Sequence, residues 1–132
     1  MDAKLKHLEL IQAVISRMAS NSFALKGWTV LIVSALFALS PGDSKKYYLY
    51  LAYLPALAFW ILDAYFLRQE RLFRKLYDSV RLLPPEQIDF SMNTTPFFTN
   101  VSSWFATMFS VTLRVFHLAV LVIITILVFV FR

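Results

Sequence analysis

The sequence predicts an all-α membrane protein: a long antiparallel helical hairpin, two spans extended into the cytosol, plus a third C-terminal transmembrane helix. Three observations predict it. Of the 132 residues, 59% are hydrophobic and 16% charged, and the mean hydropathy is +0.64. That is too apolar for a soluble globular domain. Apolar residues gather in three long runs, 23–40, 47–67 and 112–131, each reaching roughly 27–32 Å as a helix against a hydrocarbon core of about 30 Å. Lysine and arginine flank these runs unevenly, as the positive-inside rule requires. The length allows one membrane domain, 1–132.

The first element expected is a cytosolic amphipathic helix over 3–22, because Leu8, Ile11, Ile15 and Met18 recur at helical spacing. No proline or glycine precedes Gly27, so this helix runs into the first span, 23–40, which closes at Pro41-Gly42. A secretory signal is the rival reading of that run. About 22 residues precede it and Pro-Gly-Asp follows it, which does not fit an early apolar core with a small-residue cleavage site. A retained span is therefore expected. After a tight turn at Pro41–Lys46 comes the second span, 47–67, where Pro55 predicts a kink or a free carbonyl. Residues 68–83 continue it as a cytosolic helix with a stripe of Leu72, Leu76, Val80 and Leu83, ended by Pro84-Pro85. Residues 84–103 read as a cytosolic loop, and Ser103 as the N-cap of one helix from Trp104 to the end. Glycosylation patterns at Asn93 and Asn100 carry little weight on the cytoplasmic side.

Ten basic residues (Lys4, Lys6, Arg17, Lys26, Arg68, Arg71, Arg74, Lys75, Arg81, Arg114) lie on one side and three (Lys45, Lys46, Arg132) on the other. The expected topology is a cytoplasmic N-terminus and an external C-terminus in a bacterial inner membrane. Tyr47, Tyr48, Tyr50 and Tyr53 at one boundary, and Trp28, Trp60 and Tyr65 towards the other, read as interfacial belts.

The short turn forces the first two helices antiparallel, so residue n faces roughly residue 87 − n. Ile15 then meets Leu72, Ile11 meets Leu76, and Leu8 or Leu5 meets Val80. The same reflection sets Lys26 beside Asp63 and Arg17 beside Glu70. Asp63 has two readings: an ion or proton site, or a carboxylate paired with Lys26 or Arg68. A carboxylate within a span costs about 2.5–3.5 kcal/mol on insertion scales, which speaks for a function; its place five residues from Arg68, near the cytoplasmic end, favours the structural pair. Arg114 reads as a cation snorkelling to the headgroups, or as the lining of an oligomeric pore. His117, on the same face, reads as a helix-contact hydrogen-bonder, and His7 as a lone residue on a surface helix.

Several function classes are excluded by what is missing. The chain has no cysteine and two glycines, with no phosphate loop, dinucleotide fingerprint, metal-ligand spacing or nucleophile motif. No enzyme, metal or other cofactor is expected. The basic residues flank spans instead of forming a stripe, so no nucleic acid is expected either. A small-molecule second messenger stays open as a further partner, although no motif supports it. The partners expected are the lipid bilayer, further copies in a homo-oligomer, and a cytosolic sensor protein.

The segments HLELIQAVISRMASNSFALKGW (7–28) and LDAYFLRQERLFRKLYDSVR (62–81) resemble small multi-pass bacterial inner-membrane proteins found in anti-phage defence loci. The resemblance carries over Glu9, Arg17, Asn21, Ser22, Lys26, Trp28, Asp63, Tyr65, Arg68, Glu70 and Arg71. It implies an oligomeric membrane effector that permeabilises or depolarises the inner membrane when an upstream sensor detects infection. The alternatives are a scaffold or accessory subunit recruiting a cytosolic partner, and an ion- or proton-coupled carrier using Asp63.

Overall fold

The computed structural model describes residues 2–131; Arg132, one of the three external charges in the topology argument, lies outside them. The described residues are helical, with no strand among them. Four α-helices follow in order: α1 (Asp2–Leu39), α2 (Lys45–Arg81), α3 (Trp104–Met108) and α4 (Val111–Val130). Short 3-10 turns occur at Gly42–Ser44, Pro85–Gln87 and Thr95–Asn100. Three helices, α1, the one containing α2, and α4, are long and apolar enough to cross a membrane.

With no breaker before Pro41, α1 runs for 38 residues. Its last turn leaves carbonyls without intrahelical donors. The Phe37 carbonyl accepts from Ser40 Oγ at 2.8 Å and from Lys45 Nζ at 2.8 Å. The Ser44 amide donates to the Pro41 carbonyl at 3.1 Å and closes the turn. Pro55 lies inside α2 and supplies no amide to the turn before it, yet the helix continues past it. The helix stops at Arg81, where the Leu82 and Leu83 amides fold back on the Ser79 and Val80 carbonyls just before the two prolines.

Helix α2 lies at the centre, against α1 along one side and against α3 and α4 along another. Contacts between α1 and α2 run in reverse order. Val33 packs with Leu49, Ala52 and Ala56, whereas Ile11 and Ile15 pack with Leu76 and Val80. The alanines keep α2 slim where Ile124 and Val128 of α4 join the first cluster. Tyr53 Oη and Thr125 Oγ1 share a hydrogen bond of 2.6 Å beside it. Leu72 is buried, while Leu8 and Met18 are half-buried. The line of α1 residues that packs inward starts at His7, one position before the apolar stripe read from sequence.

Two expectations need correction. His7 is not a surface residue: it is fully buried beneath the 84–103 segment. That segment folds back over the end of α1 and α2, with Ile88, Met92 and Phe97 against the Ile11–Ile15–Leu76–Val80 cluster. Amide bonds from Ser91 to Asp89, Asn93 to Ser91 and Thr95 to Asn93, at 3.0–3.2 Å, fix it as successive Asx and Ser turns.

The second correction is that no single helix runs on from Trp104. Ser103 does cap α3, its Oγ accepting from the Ala106 amide at 3.2 Å. The helix then breaks at Phe109–Ser110 and restarts as α4. Trp60 stands at the break, its indole N–H donating to the Met108 carbonyl at 2.8 Å. In a continuous helix that carbonyl accepts from the amide four residues on.

Candidate functional site

Polar side chains of the three long helices, Ser22, Lys26 and His117, converge on one carboxylate, Asp63. Asp63 sits on α2 in a row of buried positions with Ala52, Ala56 and Trp60. Ser22 and Lys26 lie one turn apart on the face of α1 that meets it, followed by buried Thr29 and Val33. His117 stands on the buried face of α4 with Leu113, Ile124 and Val128. Two residues of α1, one of α2 and one of α4 thus reach the same point.

The geometry is closed. Asp63 is 0% exposed and His117 is 1% exposed, so water does not solvate either group. Lys26 Nζ donates to Asp63 Oδ2 at 2.6 Å and to Ser22 Oγ at 2.9 Å. The Ser22 hydroxyl donates to Asp63 Oδ1. His117 Nε2 lies 2.8 Å from Asp63 Oδ2. A carboxylate there accepts, so a proton belongs on Nε2, while Nδ1 is buried without a hydrogen-bond partner. The imidazole stacks on Trp60 with centroids 5.7 Å apart and planes 5° from parallel. Trp60 is in turn held by Met108. The Phe116 ring lies 5.9 Å from Lys26 Nζ on the open side.

Both carboxylate oxygens are therefore satisfied by donors from two other helices, and the one cation nearby neutralises the charge. A buried ion pair persists when its remaining lone pairs are also bonded, as they are here. Among the described residues no three His, Asp or Glu side chains gather as a metal site. The cluster is chemically a clasp: it ties α1, α2 and α4 at one level.

Lys26 and Asp63 come together as the reflected pairing of the first two helices expects. The other ion pairing expected does not form. Glu70 is held by Arg74 at 2.9 Å, one turn away on the same helix, while Arg17 is exposed. The intrahelical partner needs no reach across the seam. Arg68 turns away from Asp63 as well: its Nε donates to the Ser102 carbonyl at 3.2 Å and its guanidinium lies 5.0 Å from the Phe98 ring. Arg114 is exposed on α4, one turn before the buried His117. Sequence reasoning missed Ser22 as a direct ligand of Asp63, and Trp60 as the support of His117. The 4-residue step from Ser22 to Lys26 was the available signal.

A second polar site lies at the far end of α1. The Nε2–H of His7 donates to the Ser91 carbonyl at 2.8 Å, and the ring lies 5.5 Å from Phe90. Phe90 has φ of 55°, the left-handed region that costs a non-glycine residue about 1 kcal/mol.

Comparison of the chain with protein-family models, with curated proteins and with solved structures gives no match.

Proposed function

We propose that this chain is a non-enzymatic, three-span protein of the bacterial inner membrane, with α1 starting in the cytoplasm and α4 ending outside. In this reading α1 and α2 form a hairpin whose far ends, with the 84–103 loop, stand in the cytosol. The protein serves as an oligomeric effector of anti-phage defence that permeabilises or depolarises the membrane when an upstream sensor triggers it. The observation that carries the reading is the clasp. The charged and hydroxylic groups at that level of the helices are folded inward onto Asp63, and α4 contributes through His117 alone.

A carboxylate and an ammonium are tolerated in hydrocarbon only while paired and bonded. Displacement of α4 removes the imidazole and opens the Lys26–Asp63 pair, and water then follows the charges into the bilayer. The outward surfaces support self-association: only 11%, 33% and 22% of the most apolar windows of α1, α2 and α4 are buried within one chain. Lipid or further copies cover the rest.

The test is induced expression in a bacterial host, with and without phage and the neighbouring genes. Entry of a membrane-impermeant dye and loss of membrane potential are followed together. Wild type is expected to stay silent until triggered, and His117→Leu to leak without a trigger. Intact membranes under every condition, for both proteins, refute the effector reading.

One observation favours a second reading. Asp63 and His117 form a titratable pair at 2.8 Å within the helices, the chemistry of a proton-coupled carrier. In that case Asp63→Asn abolishes coupled uptake in proteoliposomes and leaves assembly intact.

A further inference from the structure

We propose that the cleft where residues 100–102 cross α2 is a binding site for a phosphate group, supplied by an anionic glycerophospholipid of the inner leaflet. The cleft has a volume of about 350 Å³ and is lined by Arg71, Arg74 and Lys75 of α2 and by Asn100 and Ser102 of the returning chain. Arg71 and Lys75 are one turn apart and share a face. Among the described residues neither has a carboxylate within 4.0 Å. The one carboxylate in the lining, Asp78, faces Arg81 at 3.6 Å, and Glu70 takes Arg74. Two uncompensated cations therefore border a preformed space that also holds an amide and a hydroxyl.

The wall of that space is fixed. Arg68 binds the Ser102 carbonyl and lies over the Phe98 ring, so this side chain pins the crossing segment to α2. Depth follows from helix geometry. Starting at Lys45, α2 covers about 30 Å of hydrocarbon by residue 65. There the Tyr65 and Trp104 rings lie 5.7 Å apart, as interfacial aromatics do. The next turns carry Arg71 to Lys75 about 10–15 Å further. Helical side chains slant towards the helix N-terminus, which for α2 is at the opposite boundary, so these cations reach back towards the headgroups. A guanidinium fork and an ammonium together match phosphate oxygens.

This inference rests on the inner-leaflet placement of residues 68–103 and not on the effector role. The experiment uses the purified full chain in nanodiscs of phosphatidylcholine, with or without phosphatidylglycerol. Retained lipid is counted by native mass spectrometry, and a photoactivatable phosphatidylglycerol maps the contact. Wild type should prefer phosphatidylglycerol and label within 71–75 and 100–102. The Arg71→Ala/Lys75→Ala protein should lose that preference by about 10–30-fold, at about 1 kcal/mol per cation. The Lys6→Ala/Arg17→Ala protein, with the same charge loss away from the cleft, should retain it. Equal loss in both variants, or wild-type labelling spread along other basic residues, overturns the proposal. Displacement of the lipid by inorganic phosphate overturns the lipid as the source. If the cleft variant fails to fold, the wild-type label map alone decides. Release of the chain by alkaline carbonate would refute the membrane placement itself, a result separate from loss of lipid preference.

Discussion

The two histidines make the same hydrogen bond for different ends. Each is fully buried, each donates through Nε2 at 2.8 Å to a residue remote in sequence, each leaves Nδ1 without a partner, and each leans on an aromatic ring. His117 donates to a carboxylate that two other helical side chains also bind. His7 donates to a backbone carbonyl of a half-buried loop residue. Losing the first partner strips a donor from a buried charge; losing the second bares a neutral carbonyl that water can reach. The same side chain therefore locks the helices at one site and fastens a loop at the other.

The contrast breaks most sharply at Lys26. Lys26→Met leaves Asp63 buried without its cation and should cost about 3–5 kcal/mol in equilibrium unfolding in mild detergent. Replacing both partners, Lys26→Met with Asp63→Leu, should recover part of that loss, because the buried charge is gone while the Ser22 hydroxyl and the His117 Nε2–H lose their acceptor. A double variant as unstable as the single one would show that the clasp is not held by this pair.

His117→Leu comes next, at about 1.5–3 kcal/mol for a hydrogen bond to a charged group. Hydrogen exchange should rise along α4 while the N-terminal half of α1 keeps its protection. Uniform loss across the chain would contradict a local tie. Trp60→Phe frees the Met108 carbonyl, a net effect of about 0.5–1.5 kcal/mol. Amides 109–113 should then exchange more slowly, as α3 and α4 join. His7→Leu is the mildest, at the lower end of the same range. Trypsin should cut the 84–103 loop faster in that variant, with membrane insertion and the clasp unaffected. Unchanged cleavage would mean that the Ile88, Met92 and Phe97 contacts suffice to hold the loop.

What the sequence made legible divides along the same lines. Lys26 and Asp63 could be matched because only a short turn separates their helices, and one reflection fixes every pairing. The stripes Ile11–Ile15 and Leu76–Val80 were legible for the same reason. Across the 84–103 loop no such reflection exists, since an irregular segment of that length leaves the register of α4 free. His117 could be read as a helix contact but not assigned to Asp63. His7 was misread because a lone polar residue beside an apolar stripe looks solvated, and only the fold of the returning loop covers it. Arg17 and Glu70 fit by register, but the sequence alone does not weigh a cross-seam pair against Arg74 one turn away. The break before α4 was invisible in a run whose local pattern favours continuous helix.

Trp60 bears two loads on one side chain. Its ring face steadies the imidazole, and its N–H occupies the carbonyl that keeps the last two helices apart. Swinging the indole away withdraws both supports in one stroke: the tether on Asp63 loosens just as the elbow at 109–110 becomes able to straighten. One indole thus joins the polar cluster around Asp63 to the elbow that ends the 104–108 segment.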